Sequence, residues 1–248
     1  MKIELLKLCI GNVCRDFYLR SNSSDSSVIG HVFVDLAFDI SRLRRFDDLE
    51  KFLRAGRAIS KRPLIVDAGA NIGATSVYFS MQCQDALVVA IEPEPSNFQL
   101  LVENTKDTPV LCLPLALAAT SKRMRVVDVG GGYWAFQTRA VAEDDVRADD
   151  VSSTTVKEIF EAHRSEYFPF IVKIDIEGGE KELFERDTDW MVETPLIIIE
   201  LHDWMLPRQR TALSFLRSIA ELDRDFVHFG ENIFSIANNL NSILPKVS

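Results

Sequence analysis

From residue 63 onward, short runs rich in Val, Ile and Leu alternate with segments whose apolar residues recur at helical spacing. The runs cover residues 64–68, 86–91, 110–115, 170–174 and 196–201, and most end in polar or acidic residues. Their apolar character is nearly continuous, the mark of strands covered by helices on both faces. Helical periodicity falls at 73–81 and 96–104. Thr155-Val156-Lys157-Glu158 is a capping box opening another helix. Pro207 suits the first turn of a helix carrying Ala212, Phe215, Leu216 and Ile219. This alternation predicts an α/β fold with a doubly wound, largely parallel sheet. Two hairpins are expected as well. Residues 125–129 and 133–138 flank a triple glycine, and 226–229 and 232–237 flank Gly230-Glu231, which forces antiparallel pairing at one sheet edge. Ahead of this region, 13–20 and 28–35 read as two short strands joined by a Ser-rich stretch, and 47–57 as a helix. Residues 1–60 therefore read as a small N-terminal extension and 61–248 as the main domain.

Composition narrows the function. At 47% hydrophobic and 26% charged over 248 residues, the chain is long enough to build its own core. A net charge of −9, from 28 basic and 37 acidic residues, argues against nucleic acid as a partner, because phosphate neutralisation needs clustered Lys and Arg. No window approaches the ~20 apolar residues of a membrane span. Glu4 and Lys7 interrupt the run that a secretory signal requires. Cys9, Cys14, Cys83 and Cys112 form no C-x-x-C pair and are expected as free thiols in a reducing, cytoplasmic setting.

Four strand ends carry candidate chemistry. Val66-Asp67-Ala68-Gly69-Ala70-Asn71-Ile72-Gly73 sets a strand, a glycine turn and a helix start in one stretch. Gly69 admits a ligand against bare backbone, Gly73 lets the helix begin close to the sheet, and Asp67 is expected to hold the turn by accepting backbone N–H groups. Glu92 ends the next strand 23 positions after Gly69, where an acid accepts the hydroxyls of a ribose. Lys173-Ile174-Asp175-Ile176-Glu177-Gly178-Gly179-Glu180 follows the fourth strand, with Asp175 and Glu177 aimed at the cleft and Glu180 expected to serve the helix dipole. Glu200 and His202 share a face at the next strand end, and His202 is a candidate general base. Asp175, Glu177 and His202 form a conceivable metal set, but no H-x-x-x-H or cysteine cluster supports one, so no metal is expected. Trp134 and Phe136 are candidates to stack on a substrate.

The D-x-G-A-N-x-G turn, Glu92-Pro93-Glu94-Pro95 and the K-I-D-x-E-G-x-E segment, in this order and spacing, resemble the FkbM-type S-adenosylmethionine-dependent methyltransferases. The likeness covers about residues 60–205. It implies a class I methyltransferase, Rossmann-like fold with a mostly parallel seven-stranded sheet and an antiparallel edge hairpin. It also implies S-adenosylmethionine as cofactor and O-methylation of a hydroxyl on a sugar or secondary metabolite. By the same resemblance Gly69, Ala70, Asn71 and Gly73 line the methionine part of the cofactor, Glu92 with Pro93 meets the ribose, and Asp175 and Glu177 lie near the transferred methyl. The chain departs from the family's usual T-L-D segment, having Thr154-Thr155-Val156-Lys157 there. Two rival readings share these residues: a nicotinamide-dependent oxidoreductase, disfavoured by the G-x-N-x-G spacing, and a silent cofactor- or partner-binding domain.

Overall fold

The apolar runs form the centre of one sheet. In the computed structural model, which describes residues 2–130, 132–133 and 135–244, the strands are β1 (Ile3–Ile10), β2 (Val13–Arg20), β3 (Arg62–Ala68), β4 (Leu87–Ile91), β5 (Val110–Leu113), β6 (Ala116–Leu117), β7 (Arg123–Asp128), β8 (Phe136–Ala140), β9 (Val151–Thr154), β10 (Tyr167–Ile174), β11 (Leu196–Glu200), β12 (Arg224–Phe229) and β13 (Asn232–Ala237). The main sheet runs β12-β13-β11-β10-β3-β4-β5. Its pairs from β11 to β5 are parallel, while β13 runs antiparallel to both β11 and β12. The sheet is therefore mixed. The return strand of the last hairpin lies inside the sheet, between β11 and β12, rather than outside as an edge.

Neighbouring residues on a strand face opposite ways, so each central strand feeds two cores. Ile65 and Ile198 join Phe52, Val77 and Phe168 on one face. Leu64, Val66, Ile197 and Ile199 join Ile159, Trp190 and Phe215 on the other. The first face is covered by α1 (Phe46–Ala58) and α2 (Ala74–Gln82), and the second by α4 (Val156–His163) and α5 (Leu213–Ala220), with α3 (Pro95–Asn104) beside β4 and β5. Both bonds of the Thr155–Glu158 capping box form at α4. On α1, Gly56 lies so close to β10 that a Cβ would be driven into the ring of Phe168. Gly56→Ala is thus expected to destabilise the protein by about 1–3 kcal/mol, read from urea unfolding, because a dense core has no space to give.

Three expectations change here. Residues 28–35 are not a strand: Asp25–Ile29 is α-helical and Gly30–Val34 follows as a π-helical turn. The apolar Ile29 and Val32 go into the same core as Ile65, and β2 pairs instead with β1. Residues 1–60 are accordingly packed into the main core. Pro207 lies outside the helix that begins at Leu213. Cys9 and Cys14 are not free. The register of β1 and β2 sets them directly opposite across the hairpin, and they form a disulfide. Cys83 and Cys112 are free. Among the described residues no helix is long and apolar enough to cross a membrane.

Candidate active site

The turn after β3 is shaped by its neighbours. Gly69 has φ +74°, and a Cβ there would overlap the carbonyl oxygen of Asp175. Asn71, at φ +50°, occupies the left-handed region that Asn tolerates, its Oδ1 accepting the Ile72 N–H at 2.7 Å. That is why Asn serves where a dinucleotide turn carries Gly. Gly73 has φ +91°, and the space beside it belongs to Leu101 of α3, so this glycine admits a helix rather than the sheet. Glu92 is buried at the end of β4. It accepts the Asn71 N–H at 2.8 Å and the Glu94 N–H at 2.9 Å. Burial pushes its carboxyl up to about 7. Pro95 opens α3 with Glu94 as its cap, so half of the E-P-x-P stretch starts a helix.

Among the described residues, Asp67 accepts no backbone N–H. It is fully buried, takes the Ser76 hydroxyl at 2.6 Å and lies 3.2 Å from the Lys173 ammonium on the adjoining strand. Lys173 in turn donates to the Gly69 carbonyl at 2.9 Å and stands 3.6 Å from Asp175. Burial alone would lower the pKa of Lys173, but Asp67 and Asp175 raise it above its ordinary value. Asp67 and Lys173 thus brace the glycine turn from beneath.

The other end of the site is acidic. Asp175 and Glu177 follow β10, and Glu177 sits at φ +56°, a left-handed backbone that costs of order 1–3 kcal/mol outside glycine. His202 is buried. Its Nδ1 lies 3.0 Å from Glu180 Oε1, and its Nε2 lies 3.5 Å from Asp175 Oδ1, 3.5 Å from Glu177 Oε2 and 3.6 Å from Glu200 Oε1. Burial opposes a charge on the ring, yet the nearby carboxylates of Asp175 and Glu180 outweigh it and raise the pKa to about 11. These carboxylates favour the protonated ring, which works against the expected role of His202 as a base. Glu180 is also more than a helix-dipole acid, since it is fully buried and its helix has only 4 residues. It holds the His202 ring in place. Burial, then the nearby Asp175 charge, raises Glu177 to about 8 and Glu200 to about 7. Burial also works against charge on Asp175, but Lys173 and His202 hold it down at about 2.

Both ends open on one cavity of about 430 Å³ at the carboxyl ends of the strands. Gly69, Ala70, Asn71, Glu92, Pro93, Phe136, Asp175 and Glu177 all line it. Asp67, Gly73 and His202 are not on its wall, and Trp134 lies outside the described residues. The sequence pattern did not reveal the opposite wall, where Ser24, His31 and Phe38 come from the segment around the expected strand at 28–35. It also gave no role to Glu200, whose place at a strand end beside His202 was the available signal. Arg20, fully buried, ties this wall down: it hydrogen-bonds Asp25 at 2.8 Å and Asn97 at 2.6 Å and stacks on Tyr133, 3.8 Å from the ring centre.

A strand, a glycine turn and a buried acid at the next strand end define a Rossmann-like nucleotide-cofactor site. A family model described as the methyltransferase FkbM domain matches residues 67–227, and the chain belongs to that family, whose methyl donor is S-adenosylmethionine. The chain is 28% identical over 164 residues to a hexuronic acid methyltransferase of Haloferax volcanii, a match spanning 64% of this chain and 66% of that relative, just under two thirds of its length. Among solved structures, it resembles an O-methyltransferase from Bacillus cereus (TM-score 0.38, 11% identity, 89% of this chain and 93% of that one). It also resembles a precorrin-6y C5,15-methyltransferase from Geobacter metallireducens (TM-score 0.35, 14% identity, 78% and 88%).

Proposed function

We propose that this chain methylates an oxygen atom of a sugar acceptor, with hexuronic acids as the class to test first. The observation that carries the reading is a single cavity with Glu92 at one end and the carboxylates Asp175, Glu177 and Glu200 at the other. The residues fit the donor. Gly69 and Ala70 line the cavity, Glu92 keeps acceptor capacity beyond its two backbone N–H bonds, and the acidic lining suits a cationic sulfonium. S-adenosylmethionine, when bound, supplies a methyl group already activated by positively charged sulfur. The protein's part is then to align the acceptor and to take its proton. Glu177 is the residue placed to accept that proton, since it lines the cavity and burial raises its pKa to about 8. Phe136, on the same wall, offers an apolar face to a sugar ring. The relative's hexuronic acid substrate supports the acceptor class.

The test is calorimetric titration with S-adenosylhomocysteine, followed by turnover on a panel of uronic acids and neutral sugars read by mass spectrometry. Glu92→Gln is expected to weaken binding roughly 10- to 100-fold, the loss of charge-assisted bonds to a diol. Ribose hydroxyls favour the ionised carboxylate, so binding draws the proton off a group whose pKa in the free protein is about 7. Affinity should therefore fall by about tenfold from pH 8 to pH 6, and Glu92→Gln should remove that portion of the slope. An unchanged slope overturns the ribose assignment. Binding without turnover on any acceptor favours a silent domain, and binding of NAD alone favours an oxidoreductase.

A further inference from the structure

We propose that Asp175, Glu200 and His202 form a divalent-cation site at the acceptor end of the cavity, suited to a first-row transition-metal ion such as Mn²⁺ or Zn²⁺. One ligand atom from each of the three lies within 4.8 Å of the others. The separations from His202 Nε2, 3.5 Å to Asp175 and 3.6 Å to Glu200, are longer than a well-formed N–H···O bond. They match what a cation requires: metal–ligand bonds of ~2.1 Å in a tetrahedron spread neighbouring donors to ~3.4 Å.

The ring is already oriented for this duty. Glu180 Oε1 holds Nδ1 at 3.0 Å, fully buried, so Nε2 is the nitrogen that faces the carboxylates. A carboxylate behind one ring nitrogen and a metal on the other is the usual setting of a ligating histidine. A separate observation comes from Glu177. It is 9% exposed, and its Oε2 points to the same spot, 3.5 Å from Nε2, without a hydrogen-bond partner. Asp175 Oδ1, the atom nearest Nε2, is likewise buried and unpartnered.

Imidazole and carboxylate donors together select Mn²⁺ or Zn²⁺ over Mg²⁺, which prefers oxygen alone. The cation's role rests on the methyltransferase reading. A negatively charged hexuronate would be repelled by the Asp175 carboxylate, and by Glu177 and Glu200 once ionised, and a cation among them reverses that field and polarises an acceptor oxygen beside Glu177. The binding itself does not depend on that reading.

The experiment uses the full chain stripped with EDTA and titrated with Mn²⁺ or Zn²⁺ by calorimetry, with neither donor nor acceptor present. One ion per chain is expected. Asp175→Asn and Glu200→Gln should each weaken it at least tenfold, while Glu231→Gln, on the same cavity wall, should leave it unchanged. Mn²⁺ electron spin echo spectra should carry one imidazole nitrogen coupling that His202→Gln removes. Failure of both ions to bind, affinity retained in Asp175→Asn and Glu200→Gln, or absence of the nitrogen coupling each overturns the site. S-adenosylhomocysteine titrated into the same stripped protein separates the two ideas. If it binds and the ions do not, the cation site alone falls. If an ion binds and it does not, the cation site stands and the methyltransferase reading falls.

Discussion

Glu177→Gln is expected to lower methyl transfer by about 10²- to 10⁴-fold, the range removed with a positioned proton acceptor, while leaving S-adenosylhomocysteine affinity nearly intact. The amide keeps the size and the strained backbone of Glu177 but cannot take a proton. Glu92, by contrast, lies at the far end of the cavity on β4 and is held by the Asn71 and Glu94 N–H groups, so the donor end is undisturbed. Single-turnover rates alongside calorimetry separate the two quantities. A variant that turns over at the wild-type rate would remove Glu177 from the mechanism and leave deprotonation to Glu200 or to solvent.

Lys173→Met is expected to have the largest effect on stability, a loss of about 3–5 kcal/mol in urea unfolding. The ammonium is the one cation shared by Asp67 at 3.2 Å and Asp175 at 3.6 Å among the described contacts, and its side chain is 3% exposed. Methionine fills the space but strands the Asp67 carboxylate in a fully buried position with only the Ser76 hydroxyl beside it. Adding Asp67→Asn to the same chain should recover much of the loss, because the uncompensated charge is then gone. The single variant should also bind S-adenosylhomocysteine less well, since Lys173 anchors the Gly69 carbonyl at the turn. A cost under about 1 kcal/mol would mean that the pair is dispensable to the fold.

The parallel strands and the donor turn were legible because their signals are local. A Val/Ile run ending in Gly69 or Glu92 announces its own geometry, and the hairpin at Gly230-Glu231 could only pair antiparallel. What escaped depends on residues far apart in sequence. Residues 28–35, with Val28, Ile29, Val32 and Val34, alternate well enough to read as a strand. Their helical form is set by packing of Ile29 and Val32 into a core built from Ile65 and Phe168. Glu180 looked like a helix-start acid until the chain brought His202, 22 positions on, to its carboxylate. His202 looked like a base because its ring is neutral in water. Its charge is decided by carboxylates that only the folded strand ends assemble. The Cys9–Cys14 bridge was visible in principle, since Gly11-Asn12 between two alternating runs is a hairpin turn, but C-x-x-C spacing passes over it.

Arg20 has one further consequence. By joining β2, the Asp25 helix, α3 and the loop at Tyr133, it steadies the stretch from Ser24 to Phe38 that lines the pocket. A shortened chain starting at residue 61 would keep every motif of the family and still lose Ser24, His31 and Phe38 from the cavity wall. The shape of the cavity can therefore diverge in a stretch that the shared motifs leave unconstrained, while the glycine turn and Glu92 beneath it stay the same.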